Sequence, residues 1–177
     1  MIILGIDPGT AITGYGLLEV ENFFSPRLVD YGCIRTFRRE KIPRRLTTIY
    51  EKISEIIFKF HPQEVAIEEI FFNKNVKTAL SVGQARGVII LAAYRGKGEI
   101  FEYTPLQIKQ AITGYGRARK EQVRYMVGKL LHLNKTFLPD DIADAIAVAL
   151  CHCYHRKLEK LSLMKENERV SLLKNLQ

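Results

Sequence analysis

Apolar positions along the chain follow two periods, and their order predicts a mixed α/β fold. Alternating or wholly apolar runs predict three strands in an antiparallel meander, at residues 2–6, 14–20 and 28–36. Helical spacing of isoleucine and leucine then predicts a helix over 42–60, and the next apolar run predicts a strand over 64–70. A strand, a helix and a strand in this order favour parallel pairing through a right-handed crossover.

The second half of the chain is predicted to be mostly helical. The predicted elements are a helix over 77–95, a strand over 99–103, a short helix to about Ile112, and helices over 119–132 and 139–158. No repeat or linker interrupts residues 1–158, so we predict one α/β domain built on a five-stranded mixed sheet flanked by helices. The tail, residues 159–177, is polar and mixed in charge, and we predict a frayed helix or disorder there.

The helix over 77–95 is apolar nearly all round and carries small residues on one face. Ala79, Gly83 and Gly87 recur every four residues, so they allow another helix to approach closely. We interpret this helix as central or interfacial, with the stripe as a candidate dimer interface. Packing inside the protomer is the alternative, since helices that are apolar all round are also found buried.

Composition suggests a class of partner. The net charge is +8 and the pI is about 9.4, which favours an acidic partner, nucleic acid first and an anionic membrane second. Three cysteines make no disulfide framework, so a reducing, cytoplasmic location is expected. We expect no signal peptide, and no apolar run approaches the roughly 18 residues that a membrane helix requires.

Four acids stand in apolar surroundings, where carboxylates are rare unless they are paired or bound to metal. Asp7 ends the first predicted strand, and Glu68 lies in the fourth. Asp141 and Asp144 lie three residues apart in a nearly apolar helix, so they share a face, roughly 5–6 Å apart at Cβ. Two alternatives stay open, because Asp7 also suits a turn before Pro-Gly, and Asp140 or Asp141 suits a helix cap.

Carboxylates that converge from two strands and a helix repel one another, and a hard divalent cation relieves that repulsion. Mg²⁺ prefers carboxylate oxygens and retained waters, and it often needs substrate phosphate to complete its shell. Two such ions about 3.5–4 Å apart would flank a scissile phosphate. A basic protein with an acidic metal site therefore fits phosphodiester cleavage.

Several ordered motifs run from residue 2 to about residue 155. They are Ile6-Asp7-Pro8-Gly9 with Thr13-Gly14-Tyr15-Gly16, Gly32-Cys33-Ile34-Arg35-Thr36, Ala66-Ile67-Glu68, Gly83-Gln84-Ala85-Arg86-Gly87, Phe101-Glu102-Tyr103, Gln107-Ile108-Lys109-Gln110, and Asp141 through Ala145. Together they resemble the RuvC family, the bacterial Holliday-junction resolvases, and their number and order make the resemblance specific.

The resemblance implies an RNase H-like fold and a homodimer that resolves four-way DNA junctions by paired symmetric nicks, in recombination and repair. It implies that Asp7, Glu68, Asp141 and Asp144 are the catalytic and metal-binding acids, with Mg²⁺ or Mn²⁺ as cofactor and two ions per site. It further implies 5′-phosphate and 3′-hydroxyl ends, and assembly with the RuvA and RuvB branch-migration proteins.

Candidate DNA contacts surround these acids in the sequence. The resemblance assigns Phe71 to stacking on an unpaired junction base, an interaction of about 1–3 kcal/mol, whereas Phe72 suits the core equally well. The basic candidates are Lys74, Lys109, Arg117, Arg119 and Lys120, of which Lys109 and Lys120 match basic positions of the family. Singly, each is also typical of a solvated surface. We hypothesise that loop 113–120 is mobile and orders on DNA.

Other readings of the chain are weaker. Cys151, His152, Cys153 and His155 suggest zinc, but residues i and i+2 of a helix point to different sides. An actin-like ATPase would need two such domains and about twice this length. A non-catalytic junction-binding protein should lack one of the acids. An RNA-directed nuclease of the same fold stays open from the acids alone.

Overall fold

Five strands form one mixed sheet in the order β3-β2-β1-β4-β5 in the computed structural model, which describes residues 1–21, 25–70, 76–133 and 138–163. The strands are β1 (Ile2–Asp7), β2 (Ile12–Glu19), β3 (Arg27–Arg35), β4 (Glu64–Glu68) and β5 (Glu99–Tyr103). β2 pairs antiparallel with β1 and β3, and β4 pairs parallel with β1 and β5. The predicted antiparallel meander is confirmed. β4 also pairs in parallel as predicted, although it does so beside β1 and not beside β3, the strand that precedes α1.

Five helices cover the sheet. They are α1 (Ile42–Phe60), α2 (Val76–Arg95), α3 (Pro105–Thr113), α4 (Lys120–Leu130) and α5 (Asp140–Leu163). α1 ends at His61, whose backbone is left-handed and whose N–H bonds the Ile57 carbonyl. The Thr104 hydroxyl caps α3 by accepting from the Gln107 N–H. α5 continues five residues beyond the predicted end at 158, where Arg156 pairs with Glu159 one turn later.

The two faces of the sheet carry two cores. On one face α5 lies against β1 and β2, with α3 and α4 packed on its outer side. On the other face α1 and α2 bury an aliphatic layer that includes Ile49, Ile53 and Ile89. α5 comes unusually close to the sheet because glycines face it. A Cβ on Gly5 would collide with the Ala145 carbonyl, and one on Gly14 would collide with the Asp141 carbonyl.

Of the two positions predicted for α2, central or interfacial, the structure excludes the central one. Its inner face, with Ala85, Ile89, Ala92 and Ala93, is buried against the sheet and α1. Its outer face is open, although it carries apolar residues, so α2 is a surface helix in the protomer.

None of the helices in the described ranges is long and apolar enough to cross a membrane.

Candidate active site

Two carboxylates meet where β1 and β4 end side by side. β1 and β4 run parallel, and the last paired residues of their register are Ile6 and Ile67. Asp7 and Glu68 follow directly, so both lie at the carboxyl edge of the sheet. Because alternate residues of a strand share a face, both side chains lie on the side that α5 covers, and the two carboxyl groups are hydrogen-bonded to each other.

The first turns of α5 bring the third and fourth acids to the same edge. α5 crosses β1 and β2 at the glycines that allow its close approach, which places Asp144 against Asp7 and Glu68. A larger residue at Gly5 or Gly14 would push the helix and its acids away from the strand ends. Close helix–sheet packing therefore brings the acids of α5, which follow Glu68 by more than 70 residues, to the strand ends.

Three of the predicted acids line one pocket of about 200 Å³. These are Asp7, Glu68 and Asp144, and Lys109 and Lys120 line the same pocket. The Lys120 ammonium, at the first position of α4, donates a hydrogen bond to Asp144 Oδ2 at 2.8 Å. The structure thus brings two predicted lysines onto the predicted acids.

Asp141 occupies a different position from its three partners. It lines the neighbouring cleft, which is formed by the β1–β2 turn, the segment before α1 and the start of α2. Its charge still acts on Asp7, where it contributes to the raised pKa. Asp141 and Asp144 share a helix face as predicted, but Asp144 lines the pocket with Asp7 and Glu68, whereas Asp141 lines the adjoining cleft.

The pKa values of the two strand acids are displaced strongly upward. Burial, and then the charge of Asp144, raise the pKa of Asp7 to about 6. Burial, and then the charge of Asp7, raise the pKa of Glu68 to about 8. Lys120 lies beside them, and its hydrogen bond to Asp144 raises its own pKa. Buried like charges disfavour one another's ionised form, so the pair retains a proton near neutral pH.

The chemistry of this donor set suits a hard divalent cation. All the candidate ligands are carboxylate oxygens, which Mg²⁺, Mn²⁺ and Ca²⁺ prefer. Within the described ranges, no three carboxylate, imidazole or thiol groups are gathered closely enough to hold a cation as they stand. Asp144 is paired with Lys120, and Asp7 shares a hydrogen bond with Glu68. A bound cation would replace both of these contacts.

The other predicted DNA-binding residues are placed less fully. Phe71 and Lys74 lie outside the described residues. Arg117 and Arg119 are exposed between α3 and α4, and neither lines the catalytic pocket. The loop that carries them is hydrogen-bonded within itself. Gly114 adopts φ +74 and donates to Gln110, and the Thr113 hydroxyl donates to Lys109 and Tyr115 carbonyls. The predicted mobility of this loop stays a prediction.

The predicted small-residue stripe of α2 contacts little within the protomer. Among the residues that the structure describes, a Cβ on Gly87 would meet nothing within 4 Å, and one on Gly83 would meet only Ile70, at 3.7 Å. Three large apolar side chains extend the same helix face and are exposed, Leu80 by 65%, Leu91 by 50% and Tyr94 by 76%. Their spacing in the sequence was a signal that the stripe continues beyond its glycines.

Sequence reasoning missed a polar cluster buried at the opposite end of α5. The His152 ring, which is fully buried, bonds Glu64 through Nε2 at 2.7 Å and the Tyr103 hydroxyl through Nδ1 at 2.8 Å. Arg156 reaches the other oxygen of Glu64 at 3.0 Å. Both ring nitrogens of His152 are therefore engaged by protein groups. Glu64 in an apolar strand was the available signal, as it was for Glu68.

A family model for the crossover junction endodeoxyribonuclease RuvC matches residues 3–152. The chain is 53% identical over 166 residues to the RuvC of Pelotomaculum thermopropionicum, covering 93% of this chain and all of that one. It is 59% identical over 152 residues to the RuvC of Moorella thermoacetica, covering 86% and 90% of the two chains.

Among solved structures, the fold is similar to T. thermophilus RuvC in complex with a Holliday junction substrate. The TM-score is 0.84 at 34% sequence identity, and the match covers 90% of this chain and 96% of that one. The residues that the family model matches include Asp7, Glu68 and Asp144, which line the carboxylate pocket.

Proposed function

The chain belongs to the RuvC family of crossover junction endodeoxyribonucleases, and on that premise we propose that it resolves four-way DNA junctions by paired symmetric nicks. Each nick hydrolyses a phosphodiester and leaves 5′-phosphate and 3′-hydroxyl ends. The observation that carries the proposal is the convergence of Asp7, Glu68 and Asp144 in one pocket, with Asp141 at its border. Carboxylates brought together in this way suit a cationic cofactor and a phosphate substrate.

The nucleases of this family depend on a metal ion, and the four acids are the residues that would hold it. We propose Mg²⁺, with Mn²⁺ able to substitute, and two ions per site. Bound there, the metal would stabilise the charge that develops on the phosphate and lower the pKa of an attacking water. The raised pKa values of Asp7 and Glu68 predict that metal binding releases a proton from the pair near neutral pH.

The chain's own cations would hold the DNA strand over the acids. Lys109 and Lys120 line the pocket, so they are placed to contact phosphates beside the cut. Arg117 and Arg119, on the exposed loop between α3 and α4, would extend this contact outward. We include Lys74 in the same role and Phe71 as a platform for an unpaired base, which the family resemblance supports.

The junction has two symmetric strands to cut, and a two-fold dimer would present one active site to each. We propose that the outer face of α2, from Ala79 and Leu80 through Gly83 and Gly87 to Tyr94, binds the same face of a second copy. The support is an exposed apolar stripe whose central glycines leave room for a close helix–helix contact.

Gly87→Phe tests this interface. A side chain at Gly87 meets nothing in the protomer, so the fold should persist while the dimer dissociates, and paired cutting should fall. Gly128→Phe is the matched control, because Gly128 is also a helical glycine with nothing within 4 Å. Sedimentation velocity measures the outcome, and an intact Gly87→Phe dimer would remove this face from the proposal.

The resemblance also supports assembly with the RuvA and RuvB branch-migration proteins and a cytoplasmic location. Cys33, Cys151 and Cys153 are free thiols, as is usual in a reducing compartment. Co-sedimentation of the chain with each protein on a preformed junction tests the first point.

The test of the reaction itself uses a synthetic mobile four-way junction, with and without Mg²⁺, resolved on a denaturing gel. We expect symmetric, metal-dependent nicks that a ligase can seal directly. Tight binding without cutting under any divalent metal would favour a junction-binding protein. Cutting confined to RNA-containing strands would favour an RNA-directed nuclease.

A further inference from the structure

A second cleft, of about 920 Å³, adjoins the catalytic pocket on the side away from Lys109 and Lys120. Its walls come from the β1–β2 turn, the segment before α1, the second turn of α1 and the start of α2. The residues that matter here are Thr10, Arg38, Arg45, Ser81 and Asp141. Because Asp141 borders this cleft and its charge acts on Asp7, the cleft opens directly beside the catalytic acids.

Arg45 is buried in this cleft without a negative partner. Only 9% of the residue is exposed. Its Nε donates to the Thr36 hydroxyl at 2.8 Å, and that hydroxyl donates to the Thr10 carbonyl at 2.6 Å. Among the residues that the structure describes, no carboxylate pairs with the guanidinium, and its two terminal nitrogens form no hydrogen bond. Burial of a charge is costly unless an opposite charge or strong hydrogen bonds compensate it.

The surroundings of Arg45 favour an anion from outside the protein. Arg38 lines the same cleft and is exposed. The first turn of α1 contains no acid, and its N-cap, Lys41, offers no side-chain acceptor. The Ser81 hydroxyl lies on the opposite wall, 3.0 Å from the hydroxyl of Thr10. Two guanidinium groups suit a phosphate, which arginine binds in a bidentate manner.

We propose that Arg45 and Arg38 bind a backbone phosphate of the cleaved DNA strand, on the α1 side of the scissile phosphate. This inference rests on the proposed function, since the phosphate belongs to the junction DNA. The strand would then be held on both sides of the acids, by the two lysines in the catalytic pocket and by the two arginines in this cleft. Arg45 has a structural bond through Nε, and its terminal nitrogens are the part that recognises the phosphate.

The salt dependence of junction affinity shows whether Arg38 and Arg45 contact a DNA phosphate or have only a structural role. Junction binding is measured by fluorescence anisotropy in a chelator, over a series of KCl concentrations. Arg38→Ala should weaken binding several-fold and lower the slope of log affinity against log salt by about one unit. Arg45→Gln should do the same, and Arg45→Lys should retain part of the affinity. Lys59→Ala is the control, because Lys59 is an exposed cation in the last turn of α1, at the far end from the cleft.

Neutral methylphosphonates placed one at a time along the cleaved strand locate the contact. One substitution should weaken wild-type binding but have no effect on Arg38→Ala, because that variant has already lost the contact. Thermal melting identifies any variant that is unfolded, and Arg38→Ala carries the test because Arg38 is exposed.

Two results would overturn the inference while leaving the proposed function intact. One is an Arg38→Ala variant with the affinity and salt slope of Lys59→Ala. The other is an Arg38→Ala variant that responds to every methylphosphonate as the wild type does. Failure of the wild-type protein to bind or cut junctions would instead contradict the proposed function.

Discussion

Glu64 and Glu68 stand at the two ends of the same strand, on the same face, under the same helix. At the start of β4, the carboxylate of Glu64 is buried and bonded to His152 and Arg156. At the end of β4, Glu68 faces Asp7 and Asp144, and its pKa rises to about 8. One acid is surrounded by donors, and the other is surrounded by acids.

The two groups of residues that α5 covers have different consequences: the cluster around His152 affects stability, and the acids at the start of the helix belong to the proposed active site. Further along α5, the His152 ring has protein partners at both nitrogens and the Glu64 carboxylate has partners at both oxygens, so these bonds contribute to a unique packing of the sheet against the helix. The acids at the near end repel one another, so they destabilise the free protein and favour a cation. Residues of an active site commonly carry this kind of strain, while the rest of the fold compensates for it.

Asp7→Asn should abolish strand cleavage without disturbing the buried cluster of Glu64 and His152. We expect cutting to fall by at least about 10³-fold, because a metal ligand contributes several kcal/mol to the transition state. Junction binding should be retained, since the phosphate contacts come from other residues. Strand cleavage and anisotropy measure the two properties. Glu64→Gln is the control, and it should cut normally per folded molecule. Turnover by Asp7→Asn would contradict the assigned role.

His152→Leu should destabilise the fold without changing strand cleavage per folded molecule. It leaves the Glu64 carboxylate and the Tyr103 hydroxyl without their shared partner, so we expect a loss of about 3 kcal/mol in the free energy of unfolding. Urea denaturation measures the loss. His155→Leu, on the same helix but only partly buried, should cost much less. Equal losses in the two variants would mean that the cluster has no special part in stability.

In the metal-free protein, the contributions of Glu68 and His152 to the free energy of unfolding should change with pH in opposite directions. The folded chain holds the Glu68 proton up to a pKa of about 8, whereas the unfolded chain releases it near 4.5. Stability from this group is therefore lost as pH rises between those values. Burial lowers the pKa of His152 below 6.5, so the stability contributed by neutral His152 is lost as pH falls below that value.

Glu68→Gln isolates the contribution of Glu68 to the pH dependence of stability. Relative to wild type, the variant should gain about 2 kcal/mol in stability between roughly pH 5 and pH 8.5, because one pKa unit corresponds to about 1.4 kcal/mol and the pocket is open to water. Urea denaturation in a chelator at several pH values measures the gain. A stability difference that does not change with pH would show that Glu68 is not strained.

Lys120→Met should have the smallest effect on stability. The side chain of Lys120 is 64% exposed, and exposed ion pairs contribute little, so we expect a change below about 0.5 kcal/mol. Junction binding should still weaken, because the ammonium lies over the acids where the DNA strand would pass. A large loss of stability would show that Lys120 has a structural role rather than a role in DNA binding.

Much of the architecture was predictable from local patterns. The three-strand meander and the parallel pairing of β4 follow from periods that a short window reveals, whereas the position of β4 beside β1 does not. The four acids were found because each interrupts an apolar pattern, and the ordered motifs assigned them to one family. The outward position of α2 was not predictable, because a helix that is apolar nearly all round shows no preferred face.

Sequence by itself determined the elements, the antiparallel meander and the presence of misplaced acids such as Glu68. Only the tertiary structure decided that Glu64 is paired and Glu68 is strained, because their sequence surroundings are alike and their partners come from distant segments. His152 is 88 residues from Glu64, and it reaches that carboxylate only because glycines let α5 lie directly on the sheet. The strained carboxyl group of Glu68 and the unpaired guanidinium of Arg45 are properties of the folded neighbourhood, which no local pattern contains.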